Sequence, residues 1–181
     1  MKNLTIEQKF VFWFLSFTTI LGILILIFAR TLLEYIPYFV ASVIFLYGFE
    51  LLLKFIIIEK KLSKHSHLFD GIIEIALSFI IIICLKENIE TICIIWGFWI
   101  VIREGKELDE SIYEIRNSKL AYIDIIESGI LMYFAISLIV NPIEHHAYVH
   151  ILLTGIEFLF NMLLFLLVLF VNKNKEEKEN I

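Results

Sequence analysis

The sequence contains few of the residues that turn or crosslink a chain. Its 181 residues include two prolines, seven glycines and two cysteines. With so few turn residues, and no run of about ten residues that alternates apolar and polar positions, a membrane β-barrel is disfavoured. Two cysteines, Cys84 and Cys93, are too few for a cysteine-rich zinc site. They flank one polar break, where a single disulfide and two small apolar side chains are both open alternatives.

The sequence also lacks the common catalytic and nucleotide-binding motifs. It has no glycine-rich phosphate loop, no H-E-x-x-H, no G-x-S-x-G and no basic patch with interleaved aromatic residues. We therefore predict a protein that is not an enzyme, carries no cofactor and binds no nucleic acid.

Apolar residues dominate what is present. Hydrophobic residues make up 60% of the chain, against about 45–50% in soluble domains, and the mean hydropathy is +0.86. A soluble fold of this size cannot cover so much apolar surface, so we expect a lipid bilayer around it. A helix needs about 20 apolar residues to cross a bilayer, and six runs reach or approach that length. They cover residues 10–29, 37–58, 68–85, 89–102, 120–140 and 147–171. The sequence thus predicts an all-α integral membrane protein with six transmembrane helices.

The positions of the basic residues predict how these spans are oriented. Lys and Arg near the ends of spans stay in the cytoplasm. One side of the predicted bilayer has only Arg30 and Lys86. The other side has Lys2, Lys9, Lys54, Lys60, Lys61, Lys64, Arg103, Lys106, Arg116, Lys119, Lys173, Lys175 and Lys178. We therefore predict a multi-pass protein of the plasma membrane with both termini in the cytoplasm.

The spans are predicted to form three helical hairpins with a recurring glycine pattern. The hairpins cover residues 10–58, 68–103 and 120–171 of one transmembrane domain, and residues 172–181 form a charged cytoplasmic tail that we expect to be disordered. The two glycines of each hairpin are 26 residues apart, at Gly22 and Gly48, Gly71 and Gly97, Gly129 and Gly155. This spacing indicates an internal repeat.

Two carboxylates lie deepest within the predicted spans. Glu50 and Glu157 each follow a glycine by two residues. Lys54 and Asn161 stand one helical turn further along, and Arg103 takes the corresponding position in the second hairpin. In hydrocarbon such groups must be paired, solvated or neutralised. Two interpretations stay open: polar pairs that hold the helices in register, or acids that take up protons because burial disfavours their charged form.

A histidine cluster occupies the break before the last span. It contains His145, His146 and His150, and Glu144 precedes it. Histidine changes charge between about pH 5 and 8, so this segment would gain positive charge as its surroundings acidify. A shared metal is the alternative, with His146 and His150 one helical turn apart and Glu144 as the third ligand. We expect no resident metal and a pH-responsive or simply solvated loop.

The remaining charges lie near the predicted cytoplasmic surface. Residues 104–119 are charged, with apolar positions at helical spacing, and are predicted either to continue helix four or to lie along the membrane surface. Three acids in the first turns of spans three and five are interpreted as ordinary interface charges at helix N-termini. They are Glu74, Asp124 and Glu127.

The six spans, the proline or polar breaks within the hairpins, and the segment Tyr148 to Phe160 with its Gly155 and Glu157 resemble the HdeD family. The resemblance covers most of the chain, residues 10–171. Two features depart from the family pattern: residues 86–90 lack the proline common there, and residues 104–119 are longer and more acidic. That family consists of small multi-pass inner-membrane proteins of bacteria and archaea linked to acid resistance. The resemblance therefore implies a prokaryotic stress association and no particular reaction.

Three functions are open from the sequence. The first is a non-enzymatic contribution to acid or envelope stress tolerance. The second is a small transporter or channel in which Glu50 and Glu157 line a pathway. The third is a membrane scaffold that binds a partner through residues 104–119. A homo-oligomer is compatible with each of them.

Overall fold

The computed structural model describes residues 6–59, 67–84, 88–115 and 121–179. The helices are α1 (Ile6–Glu34), α2 (Ile36–Lys54), α3 (His67–Cys84), α4 (Ile89–Glu114), α5 (Ala121–Val140) and α6 (Glu144–Glu179), and a π-helical turn, Phe55–Glu59, follows α2. No strand occurs within the described ranges, so the all-α prediction is confirmed there. The predicted orientation also depends on basic residues that lie outside the described residues, at positions 1–5, 60–66, 85–87 and 116–120.

Local sequence explains where two of the helices begin. Pro37 lies in the first turn of α2, where a missing backbone N–H has no intrahelical partner to lose. Asn88 caps α4, because its side-chain oxygen accepts a hydrogen bond from the backbone N–H of Thr91 at 3.1 Å.

Three helices extend beyond the predicted spans. Only Tyr35 separates α1 from α2, since α1 runs on through the expected polar break to Glu34, with a kink at Phe28. Helix α4 continues to Glu114, as the first interpretation of residues 104–119 predicted, and exposes Tyr113. Helix α6 continues to Glu179, through the residues predicted to form a disordered tail. Lys and Glu, which dominate this stretch, have high helix propensity.

Four helical segments of the described chain are long and apolar enough to cross a membrane. They are Gln8–Glu34, Ile36–Ile57, Ala121–Val140 and Glu144–Leu169. Helix α3, with 18 residues, and α4, whose apolar part is followed by a charged stretch, are not among the four. Length and composition therefore indicate a membrane protein with four candidate spans.

Apolar side chains face outward along the candidate spans. On α1, Trp13, Ile20 and Ile27 recur every seventh residue and are all exposed. On α5, Ile126 and Tyr133 are exposed at the same spacing. Soluble proteins rarely expose apolar stripes of this length, so these faces fit contact with lipid.

The chain divides into two compact units, each held together by glycines at helix contacts. One unit contains α1 up to Ala29 and α6 from Ile151, and the other is Arg30–His150. In the first unit, Gly22 of α1 meets Gly155 of α6.

In the second unit, glycines bring α2 against α3 and α4 against α5. A Cβ on Gly71 would lie 2.8 Å from the carbonyl oxygen of Gly48, and a Cβ on Gly97 would lie 2.6 Å from the Ile139 side chain. Gly48 therefore contacts a glycine of the next predicted hairpin. Close approach at glycine lets helices pack through backbone and small side chains, as in membrane proteins generally.

Candidate functional site

Two serine hydroxyl groups inside the candidate spans, those of Ser16 and Ser42, are satisfied by their own helices. Ser16 donates to the carbonyl oxygen of Phe12 at 2.7 Å, and Ser42 donates to that of Tyr38 at 2.7 Å. Such bonds meet the polar requirement of a side chain in lipid without involving another helix.

Several enclosed polar atoms of α3 and α4 have no hydrogen-bond partner within the described part of the chain. Among them are Glu74 Oε2, Trp96 Nε1, Trp99 Nε1 and Glu104 Oε2. Enclosed polar atoms are normally paired, so a concentration of exceptions in one region points to function. Three of these four side chains surround or approach one arginine.

Arg103 holds this region of the second unit together. Its guanidinium carbon lies 4.4 Å from the ring centroid of Tyr47 and 5.1 Å from that of Trp99, within the range of cation–π attraction. Its Nε donates a hydrogen bond to Oε1 of Glu104 at 2.9 Å. We call Tyr47, Glu74, Trp99, Arg103 and Glu104 the Arg103 cluster.

The two acids of the Arg103 cluster differ in how they are held. Glu104 is the most deeply buried acid of the described chain, with 0% of its side chain exposed, and one of its oxygens binds Arg103. Glu74 lies within electrostatic reach of Arg103 and Lys106, and its carboxyl group faces the indole N–H of Trp99. Arg103 therefore binds the buried Glu104 and also attracts the half-buried Glu74.

Neither Glu74 nor Glu104 was predicted as a site residue from the sequence. Glu104 follows Gly97 by seven residues and Ile100 by four, which places it on the buried face of α4. The fourth predicted span ends at Ile102, so this periodicity was not followed as far as Glu104. Glu74 was assigned to the membrane interface, yet it follows Gly71 by three residues on the side of α3 that contacts Gly48.

Two ion pairs lie close to the Arg103 cluster. Lys106 Nζ of α4 is 2.8 Å from an oxygen of Asp70 on α3, and both side chains are about half exposed. Glu107 lies 3.8 Å from Arg103 Nε, with 54% of its side chain exposed. Solvent therefore screens these charges, in contrast to Glu104.

Glu50 and Lys54 form the ion pair that the structural interpretation predicted. Lys54 Nζ lies 2.8 Å from Glu50 Oε1 within α2, and both side chains retain partial exposure. Because the two charges compensate each other, Glu50 has a counter-ion on its own helix.

His150 is enclosed within the candidate span of α6. Only 2% of its surface is exposed, and its ring centroid lies 5.4 Å from that of Trp96 and 6.3 Å from that of Phe134. The ring also hydrogen-bonds the backbone of Phe134. The sequence placed this histidine in a loop, but α6 already begins at Glu144 and carries it inside.

The two neighbouring histidines have different surroundings. His146 Nδ1 lies 2.8 Å from the carbonyl oxygen of Asn141 and 3.2 Å from that of Ser137, where it donates to backbone groups at the end of α5. His145 is exposed, and its ring centroid lies 6.0 Å from that of His146.

Glu157 is the buried acid of the first unit. It is 9% exposed and lies one turn before Asn161, which is half-buried on the same helix. Phe158, the next residue, packs against Gly22. Glu157 is therefore buried, at a helix contact made close by glycine.

The structure does not support the shared-metal interpretation of Glu144, His146 and His150. No group of three or more His, Cys, Asp or Glu side chains in the described residues is placed to hold a metal ion. The physical reason is that His146 binds backbone carbonyls while His150 enters an aromatic contact. Cys93 is buried with a free thiol, and the side chain of Cys84 lies outside the described residues.

Comparison with protein-family models, with curated proteins and with solved structures gave no match to this chain. Its function is therefore argued from the geometry described above.

Proposed function

We propose that this chain is a non-enzymatic multi-pass membrane protein, similar to the HdeD family, that contributes to acid or envelope stress tolerance. All six apolar helices would cross the plasma membrane of a prokaryote as three hairpins with cytoplasmic termini. The four candidate spans and the outward apolar stripes support the membrane location. The unequal distribution of Lys and Arg supports the orientation.

The enclosure of His150 is the observation that carries the acid response. Its ring lies against Trp96 and Phe134, contacts that join α6 to α4 and α5. Acidification strong enough to protonate this enclosed ring would place a charge at this position. A charge there is tolerated only when water or a counter-ion reaches it, so protonation would loosen these contacts.

Acid challenge of cells tests the proposal. Cells that lack the gene would be complemented with the wild type, with His150→Phe, or with His145→Phe, all at equal membrane levels. Phenylalanine fills the aromatic site of His150 but cannot take up a proton, and His145 provides an exposed control. We expect the wild type and His145→Phe to restore survival, and His150→Phe to fail. Full survival of the deletion strain would contradict the proposal.

The same survival assay distinguishes the role of the buried acid Glu157 from that of the ion-paired acid Glu50. Glu157→Gln removes an enclosed ionisable group, whereas Glu50→Gln removes one partner of a partly exposed ion pair. We expect Glu157→Gln to reduce survival and Glu50→Gln to behave as the wild type.

A small transporter or channel is the second candidate, and the Arg103 cluster favours it. Ionisable residues that face the interior of a helical membrane protein often line ion pathways. Liposomes with the purified protein would show ion flux if this function is correct. Flux lost in Glu104→Gln and kept in Glu107→Gln would support it, and liposomes without flux would exclude it for the ions tested.

A further inference from the structure

His146 and His150 share one face of α6. This helix begins at Glu144, so both histidines lie in its first two turns, four residues apart. Residues at this spacing are neighbours on a helix, with about 5–6 Å between their Cβ atoms. Long side chains of a helix lean back toward its N-terminus, which directs the ring of His150 toward the turn that carries His146. Glu144, His145 and Tyr148 lie on other faces of the same helix.

The two rings differ in their access to solvent. His146 is half-buried at the start of α6, whereas His150 is buried. Trp96 of α4 and Phe134 of α5 cover His150, with ring centroids 5.4 Å and 6.3 Å from its own. Apolar rings do not carry protons, so the turn of His146 is the polar approach to His150 along α6.

Hydrogen bonds determine which nitrogen of His146 can take up a proton. Its Nδ1 lies 2.8 Å from the carbonyl oxygen of Asn141 and 3.2 Å from that of Ser137. Carbonyl oxygens accept hydrogen bonds and do not donate them, so Nδ1 carries the hydrogen of the neutral ring. Nε2 is then the basic nitrogen, and it can take a proton from water while Nδ1 keeps its carbonyl contacts.

Ionisable groups on the two helices that cover His150 are less well placed to supply its proton. On α5 and on α4 up to Ile102 these groups are Glu90, Cys93, Tyr122, Asp124, Glu127 and Tyr133. The carboxyl groups on α5 lie two turns or more before Phe134, and Glu90 is exposed. Thiols and phenols ordinarily hold their protons near neutral pH.

We propose that His146 delivers protons to His150, one turn further along α6. The imidazolium of His146 gives its Nε2 proton to a ring nitrogen of His150, directly or through one water molecule, and returns to the neutral form with its hydrogen on Nδ1. A positive charge on His146 acts against a positive charge on His150. Handing over one proton therefore avoids two adjacent cations, whereas binding a second proton would create them. The proposal rests on the proposed function, in which His150 is the group that becomes protonated.

The rate at which protons reach His150 tests this transfer. The reconstituted protein with Trp13→Phe would be acidified rapidly in a stopped-flow instrument, far enough to protonate the ring. Fluorescence of Trp96, which lies against that ring, would report the arrival of the proton. The final amplitude measures whether His150 is protonated, and the rate measures how the proton reaches it.

His146→Asn is the test variant, and His145→Asn is the matched control. The asparagine amide nitrogen takes the position of Nδ1 and can still donate to the Asn141 carbonyl, but it does not take up a proton. We expect His146→Asn to slow the quenching by about tenfold or more and to keep the wild-type amplitude. His145→Asn should keep both the rate and the amplitude of the wild type.

Imidazole added to the medium separates proton transfer from a structural effect of the substitution. Free imidazole can carry protons in place of the missing ring, so it should restore a faster rate in His146→Asn and leave the rate of His145→Asn unchanged. A slowed rate that imidazole does not change would overturn the proposal.

The amplitude and the rate also distinguish failure of this proposal from failure of the proposed function. Full amplitude in His146→Asn with the same rate as His145→Asn would overturn the transfer from His146 and leave protonation of His150 intact. Absence of any quenching that depends on His150 would overturn both.

Discussion

Gly22 and Gly155 lie so close that a Cβ on Gly22 would be 2.8 Å from the carbonyl oxygen of Gly155 and 3.0 Å from the Cβ of Phe158. The obstructing atoms belong to backbone or to the first side-chain carbon, and neither can rotate away. This contact holds α1 against α6 in the unit that contains the buried Glu157. Glycine at this position therefore has a packing role that no larger residue can fill.

The glycine contacts predict which substitutions destabilise the protein. Gly22→Ala and Gly71→Ala would each push a methyl group into a backbone carbonyl, and should lower the free energy of unfolding by about 1–3 kcal/mol. Gly129→Ala is the matched control, because no atom of the described chain lies within 4 Å of the position that its methyl group would take on α5. It should be neutral or slightly stabilising, since alanine favours helix. Denaturation in mixed micelles measures the difference, and equal effects at Gly22 and Gly129 would contradict the packing argument.

The glycine pattern also illustrates how far the sequence could predict the fold. Long apolar runs predicted where the helices lie, because helix formation in lipid follows from local composition. The spacing of 26 residues suggested an internal repeat, but spacing does not reveal which helices meet. Gly48 contacts Gly71 of the following predicted hairpin, and contact partners of this kind depend on three-dimensional packing.

The candidate sites were less predictable for a physical reason. Glu50 and Glu157 were visible because each interrupts a long apolar run. Glu104 begins a charged stretch, so its burial appears only once α4 continues and turns it toward the interior. The burial of His150 could not be predicted from the sequence either, because it depends on α6 beginning before this residue and on aromatic rings from other helices.

Arg103 should be far more important for stability than the neighbouring exposed cation. Arg103→Gln leaves the buried carboxylate of Glu104 without its partner and should cost about 3–5 kcal/mol. Adding Glu104→Gln to that variant removes the stranded charge and should recover part of the loss. A double-mutant cycle from unfolding curves measures this coupling.

Lys106→Gln is the control for the Arg103 prediction. Its ion pair with Asp70 is about half exposed, so its loss should cost no more than about 1 kcal/mol. If Arg103→Gln were as mild as Lys106→Gln, Arg103 would not be neutralising an enclosed acid.

His146 is expected to stabilise the end of α5. His146→Ala removes the hydrogen bond to the Asn141 carbonyl and should cost about 0.5–1.5 kcal/mol. His145→Ala, one residue earlier and exposed, should change stability little. Unfolding curves of the two variants under identical conditions make the comparison, and equal losses would argue against the capping role of His146.

The central claim, that His150 receives a proton inside the helical bundle, can be measured directly by tryptophan fluorescence. The reconstituted protein would carry Trp13→Phe, which leaves Trp96 and Trp99 as its tryptophans. Because Trp96 lies against the His150 ring, we predict reversible quenching of its fluorescence when the medium is acidified enough to protonate that ring. His145→Phe should retain the quenching and His150→Phe should lose it. Quenching that persists unchanged in His150→Phe, or a wild-type signal that does not respond to pH, would contradict the account.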